Sequence, residues 1–396
     1  MIDMTDADLE KRGRQKLLIG LALVAVVSAI SYGALTVRHA SRGASQKPEA
    51  SQAQPGQGTD KGRKARDKMS RFGNSQGNYA QGGQVVSDED ATFMVAVKKG
   101  DGLSVTQGQV GCSLQIYKLN AGSDKPSMFA TCSYDEVSCL SLVDGNLLWL
   151  EQDADSNISH IRWKSVDGKR SGEVKLKEAP KAGSRITYME VAGNDLFYIL
   201  TDEADGKKTS LMRAGLDGSS VTRLVEDLGA KSFTCTSEAL YYAKDDLEGM
   251  GSAIYKLGFE EGFKPERVYA ASEESISDLQ AHGKQVFFVK QATTAAAPAS
   301  ILCRLSGTSA VELSRQRVEI TSFNVHKGTV VISGENGLQV IKASAKLGVS
   351  DPSQSLKNQA TNSSVYVVSD GYVFTNGSGD IIVADEGLSK AITLDL

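Results

Sequence analysis

A short apolar run recurs along the chain, and its spacing constrains the fold more than any other feature. The runs are FMV at 93–95, LLW at 147–149, LFY at 196–198, LYY at 240–242, VFF at 286–288, VVI at 330–332 and YVF at 372–374. Their last residues are Val95, Trp149, Tyr198, Tyr242, Phe288, Ile332 and Phe374, spaced by 54, 49, 44, 46, 44 and 42. A second run follows each one: LQIYK, SHIRWK, SLMRA, AIYKL, ILCRL, LQVIK and DIIVA. A third closes most units, as in RLV at 223–225 and VEL at 311–313, and an apolar stretch such as ITYMEVA at 186–192 comes before. Each period therefore holds four short runs rich in Val, Ile, Tyr and Phe and bounded by Gly, Asn, Asp and Ser, which is the composition of strands and turns.

Seven copies of four strands predict an all-β fold, a seven-bladed β-propeller of four-stranded antiparallel blades over residues 86–396. One twisted sheet cannot cover both of its faces, whereas neighbours in a ring cover each other. The first run of each unit is apolar throughout, as expected of a strand buried on both faces. The second is expected to alternate, with Ile254 and Lys256 pointing one way and Tyr255 the other. Two stacked β-sandwiches are the competing architecture, and the regular period argues against them. The segment GGQVVSD at 82–88 either supplies the inner strand of the first blade or completes the last.

Residues 17–37, LLIGLALVAVVSAISYGALTV, carry no charge. At about 1.5 Å per residue such a run spans a bilayer core of about 30 Å. Lys11, Arg12, Arg14 and Lys16 precede it, which predicts a cytoplasmic tail over 1–16, a single transmembrane helix and an extracellular remainder. A cleaved signal peptide is the alternative, although its apolar core would be shorter. Ala25, Ala29 and Gly33 form a row of small residues that would let two such helices approach closely as a weak homodimer. Residues 38–85 are rich in Gln, Ser, Gly, Lys and Ala and predict a disordered linker. The whole chain carries −4 and residues 38–85 carry +6, so the remainder carries −10. A net-acidic globular part excludes a nucleic-acid binder, which needs a basic face.

Six of the seven second runs contain a basic residue near the end: Lys118, Lys164, Arg213, Lys256, Arg304 and Lys342, with Ala384 in the seventh. One reading is a basic ring that receives an anion. The other is solvent-facing lysine and arginine at mid-radius, where they discourage edge pairing. The five cysteines are Cys112, Cys132, Cys139, Cys235 and Cys303. Cys112 and Cys132 flank the second and third runs of the first unit and form one candidate disulfide, with Cys132–Cys139 the rival; Cys235 and Cys303 lie in apolar runs and read as core. Of the four histidines, His39 falls in the linker, and His160, His282 and His326 show no metal-ligand spacing. No nucleophile elbow, phosphate loop or dinucleotide fingerprint is present. Acidic groups such as Glu151, Asp153 and Asp155, or Asp245, Asp246 and Glu248, fall between first and second runs and read as solvated loops. No catalytic, metal or cofactor residue is assigned.

The unit at 195–225 resembles the YWTD repeat of the low-density lipoprotein receptor propellers. Phe197-Tyr198 with Thr201-Asp202 stands at the YWTD position, and Arg213, Leu216-Asp217-Gly218-Ser219 and Leu224-Val225 follow the same pattern. The likeness is fair at 240–270 and 147–176 and weak in the first and last copies. Tryptophan is missing from most copies, and seven units stand where that family has six. The resemblance implies a propeller carried outside the cell on one membrane helix, and binding rather than catalysis. The expectation is therefore a non-enzymatic module of the cell envelope that holds a protein or wall glycan on a propeller face. The alternative is an extracellular propeller hydrolase or lyase acting on envelope glycans or peptides, marked by carboxylate, His and Tyr gathered on the axial face, whereas exposed aromatics there would mark binding.

Overall fold

The computed structural model describes residues 71–97, 114–134, 136–153, 158–178, 180, 183–202, 208–226, 228, 233–246, 251–292, 299–342, 354–376 and 380–394. The transmembrane run 17–37, the Ala25, Ala29 and Gly33 row and the tail 1–16 lie outside these residues. Among the described residues no helix is long and apolar enough to cross a membrane.

The strands assemble into seven antiparallel sheets, each built from consecutive strands in sequence order. Six sheets have four strands, and the sixth blade has three described strands. The expected seven-bladed ring is thus present. The innermost strands are Val85–Ser87, Glu136–Val143, Ser184–Ala192, Phe233–Cys235, Glu274–His282, Ile320–His326 and Ser364–Val368. Five turn back into the recurrent apolar run through a two-residue connection, and the first and fourth through three residues. Several of these carry the positive φ that a tight hairpin needs, as at Asp144-Gly145 (48° and 72°) and Lys327-Gly328 (45° and 80°). The recurrent run is buried along most of its length, as at Leu196, Phe197, Tyr198 and Ile199. Alternation in the next strand holds for Ile158–Ser165 and fails for Gly251–Gly258. There Ala253 and Ile254 are both buried, because this strand too is covered on both sides by neighbouring blades.

The core lies in the seams between blades. Val86, Phe93, Ile116, Leu140 and Trp149 fill the first seam. One continuous cluster runs through blades two, three and four, and smaller ones join four to five, five to six and six to seven. Segment 82–88 resolves in favour of the first blade: Val85, Val86 and Ser87 pair with Met94, Phe93 and Thr92. Among the described residues no strand is exchanged between the first and last blades. Their seam is closed by packing of Val85, Met94, Tyr117 and Leu119 against Tyr366, Val368, Ile381 and Leu394. Two hydrogen bonds from Ser369, to Ser87 Oγ (2.9 Å) and to the Asp88 carbonyl (2.8 Å), add to it.

The axis of the ring is filled by the chain itself. Residues 72–83, placed in the linker by composition, run into the channel and form a short helix, Gln76–Ala80, capped by Ser75. Asn74, Gln76, Asn78 and Tyr79 are all buried. The segment lacks branched apolar residues, yet it is held by amide and hydroxyl hydrogen bonds, which polarity-based reasoning about disorder does not weigh. Close approach is part of the fit. A Cβ on Gly77 would collide with the Asn324 and Gln280 amides, and Gly83, at φ +62°, stands against the Cys139 backbone.

Candidate functional site

One register position supplies the channel lining. The inner-strand residues Ser141, Glu190, Thr234, Gln280, Asn324 and Tyr366 pair with Leu148, Phe197, Tyr241, Phe287, Val331 and Val373, each one residue before the recurrent apolar end. All six are almost completely buried. A fixed position in a repeat lies at a fixed radius, so this polar set forms a ring around the axial segment.

The segment engages the ring through named bonds. Asn74 Nδ2 donates to the carbonyls of Val85 (2.8 Å) and Leu140 (2.9 Å). Asn78 Nδ2 donates to the Val367 carbonyl (2.8 Å), while its Oδ1 accepts from Val367 N (2.7 Å) and Asn324 Nδ2 (2.9 Å). Gln76 Oε1 accepts from Cys235 N (2.6 Å) and the Thr234 hydroxyl (3.0 Å). The Tyr79 hydroxyl contacts Ser141 Oγ at 2.7 Å and accepts from Val191 N at 3.2 Å. The channel thus holds side chains of the axial segment, largely through its own main-chain groups.

Glu190 lies at the centre of this lining. Burial pushes its carboxyl up to about 8, offset in part by the Tyr188 hydroxyl, the Cys235 thiol and the Gln76 amide. Of these, the Tyr188 bond (2.6 Å) has full hydrogen-bond geometry, and Glu190 Oε2 and Gln76 Nε2 have no partner among the described residues. The neighbouring Cys139 and Cys235 are buried free thiols, with Cys139 pushed up to about 11 and Cys235 well above its ordinary value, both chiefly by burial. At neutral pH this is a protonated, uncharged cluster.

A second cluster lies at the seam of blades one and two. On blade two, Glu151 pairs across strands with His160, Trp149 with Arg162, and Arg162 with Glu173, so these side chains share one face. Glu151 is buried and accepts from Trp149 Nε1 at 2.7 Å and Ser133 N at 3.3 Å. It is therefore a structural acceptor and not the solvated loop residue expected. His160 Nδ1 lies 2.9 Å from Glu173 Oε1, and Arg162 Nη1 donates to Glu173 Oε2 at 3.1 Å. The Tyr134 ring stacks on the imidazole at 4.8 Å with the planes within 2°. An ionised carboxylate only accepts, so Glu173 draws the proton to Nδ1 and leaves Nε2 as the imidazole's acceptor. Burial, reinforced by Glu151, pushes the adjacent Cys132 thiol up to about 12, so it offers no thiolate near neutral pH.

The basic positions stand on the third strands of six successive blades. Lys118 lies over the Phe93 ring at 5.7 Å. Lys164 lies over Phe129 at 4.8 Å and donates to its carbonyl. Arg213 pairs with Asp195 at 2.8 Å and covers Phe263. Lys256 and Arg304 sit opposite Tyr241 and Phe287 in the same register, and Lys342 opposite Thr329. Each stands on its own blade, at mid-radius. Cys132 and Cys139 are both free thiols, which removes the Cys132–Cys139 bridge; Cys112, the other expected partner of Cys132, lies outside the described residues. Cys235 and Cys303 are core, and His282 and His326 end their inner strands just before the hairpin turns. Only the repeat itself marks the axial ring in the sequence: Ser141, Glu190, Thr234, Gln280, Asn324 and Tyr366 all fall eight residues before the recurrent run's end.

Fold and clusters together define a seven-bladed propeller whose blades are each one continuous stretch of chain. No family profile matches the sequence, and no curated protein matches it. Solved structures do. The chain is similar to a puromycin hydrolase (TM-score 0.59, 13% identity, 83% of this chain and 56% of that one). It is similar to a puromycin-hydrolysing peptidase of Mycobacterium tuberculosis (TM-score 0.53, 11% identity, 83% and 56%). It is also similar to the β-propeller domain of the Trilobed protease from Pyrococcus furiosus, described as having an open velcro topology (TM-score 0.52, 11% identity, 78% and 97%). The chain thus spans little more than half the length of the two puromycin-hydrolysing enzymes. These likenesses establish the propeller fold and do not extend to membership of the YWTD family. They overturn the expectation of a non-enzyme: at the level of the propeller, the neighbours are parts of peptidases.

Proposed function

We propose that this chain works in the cleavage of extracytoplasmic peptides, as a propeller of the peptidase-related kind held outside the cytoplasmic membrane by residues 17–37. The observation that carries this reading is the blade-two cluster, where carboxylate, imidazole and phenol converge on one face. Glu173 fixes the His160 tautomer and Arg162 holds Glu173 in place, which leaves His160 Nε2 to take a proton from an attacking water. The likeness to peptidase propellers supports the class of reaction. Peptide is favoured over glycan because the channel lining already satisfies side-chain amides of a polypeptide, as at Asn78.

The test uses the full chain in detergent, incubated in parallel with mixed-sequence peptides and with wall glycan fragments, and read by mass spectrometry. Peptide cleavage that falls by about 100-fold or more in His160→Ala is the expected result, the size of a lost general base. Glycan cleavage would keep the lytic class and change the substrate. No cleavage of either, or an unchanged rate in His160→Ala, would overturn the reading.

A further inference from the structure

A cavity of about 130 Å³ opens beside the axial helix, walled by Gln76, Gly77, Cys235, Gln280, His282 and Asn324 among others. It lies towards the hairpin end of the inner strands of blades four, five and six, since His282 and Gly283 at the end of the blade-five strand form part of its wall.

Two of the wall amides are fixed in orientation by their neighbours. Gln280 Nε2 donates to the Phe323 carbonyl at 2.7 Å, so its Oε1 is the remaining acceptor. Gln76 Oε1 accepts from Cys235 N and the Thr234 hydroxyl, so its Nε2 is the remaining donor. Both residues are at least 95% buried, and neither Gln280 Oε1 nor Gln76 Nε2 meets full hydrogen-bond geometry with a partner among the described residues, Gln76 Nε2 lying beside the neutral Glu190 carboxyl. A buried amide group left this way loses its water without gaining a partner, a cost that a fitted ligand removes. The third amide on the wall, Asn324, is satisfied through both of its side-chain atoms.

The wall carries neither carboxylate nor ammonium. Burial lowers the His282 imidazole from its ordinary value, and the other wall groups are amides, a thiol, small residues, Phe72 and Val325. An ion entering here would lose its hydration with no countercharge to replace it. We propose that this cavity binds an uncharged secondary amide, the main-chain peptide unit of a bound polypeptide, with its N–H donating to Gln280 Oε1 and its C=O accepting from Gln76 Nε2. The proposal deepens the peptide reading above and, as to the natural ligand, rests on it. Gly77 of the axial helix forms part of the cavity wall, so a second peptide would lie directly beside this chain's own segment, towards the mouth.

The probe is N-methylacetamide, which has one donor and one acceptor, tested on the full chain by ligand-observed NMR against acetate and methylammonium. Saturable binding in the millimolar range is expected, well inside the ceiling for a ligand of so few atoms, with both ions at least tenfold weaker. Gln280→Met, which removes the acceptor at similar volume, is expected to weaken binding at least tenfold. Equal binding of either ion, or no saturation, overturns the proposal on the unaltered chain, whether or not the variant folds. Binding as expected in a chain that cleaves no peptide leaves the cavity assignment standing and removes the cleavage reading. Peptide cleavage with no binding of N-methylacetamide does the reverse.

Discussion

The axis and the mid-radius of this ring each repeat a polar position from blade to blade, and the two do different work. At mid-radius, Lys118, Lys164 and Arg213 lie over aromatic rings or pair locally. At the axis, Ser141, Glu190, Thr234, Gln280 and Asn324 face a common guest, and most bond to it or to one another's strands. Regular chemistry at a repeated position therefore says little about convergence. The radius decides: side chains near the axis meet, and those further out are separated by the blades themselves. The contrast also bears on closure. With no strand shared between first and last blades among the described residues, the axial segment bonds to inner strands around the ring and takes part of the fastening role.

The sharpest way to break this comparison is at Asn78. Asn78→Ala would leave the Val367 N–H and C=O and the Asn324 amide short of partners at the axis. At about 1–3 kcal/mol for each stranded group, the expected loss is about 3–5 kcal/mol, read by urea denaturation. A loss below about 1 kcal/mol would mean that the ring closes without its axial segment.

Glu190 gives an intermediate, pH-dependent effect. Its carboxyl titrates near 8 when folded, against 4.5 for the free group, so the folded state holds a proton that the unfolded chain releases. The stability this contributes is fully present below about 4.5 and is lost as pH rises towards 8, at about 1.4 kcal/mol per pH unit inside that window. Glu190→Gln keeps a neutral side chain and should flatten the slope, making the variant more stable than the native chain at pH 8 and similar at pH 4.5. Parallel melting curves across this range would show it, and curves that stay parallel would mean that the carboxyl is solvated.

The smallest effect belongs at mid-radius. Arg213→Ala removes a partly exposed ion pair with Asp195 and a cation over Phe263. About 0.5–1 kcal/mol is expected, falling as salt is added. A loss as large as that of Asn78→Ala would erase the distinction between the two radii.

The repeat made the ring legible: seven recurrent apolar ends, a period near 45 residues and turn residues between them leave few other ways to bury two-faced sheets. Much of the site was not legible. His160, Glu151 and Glu173 are separated in sequence by loops and meet only because antiparallel register aligns them. The axial segment was read as linker because low apolar content normally means that a chain cannot offset its entropy by burial. Here the receiving surface is polar, so Asn74, Gln76 and Asn78 are the residues that fit.

By itself, the sequence determined blade number, strand order and the positions of buried aromatic and aliphatic groups, because these follow from local periodicity repeated along the chain. Tertiary structure alone decided what occupies the axis, which polar side chains converge and how the first and last blades meet. Those outcomes depend on contacts between residues as far apart as Asn78 and Val367, and no local pattern encodes the distance between two points on a closed ring.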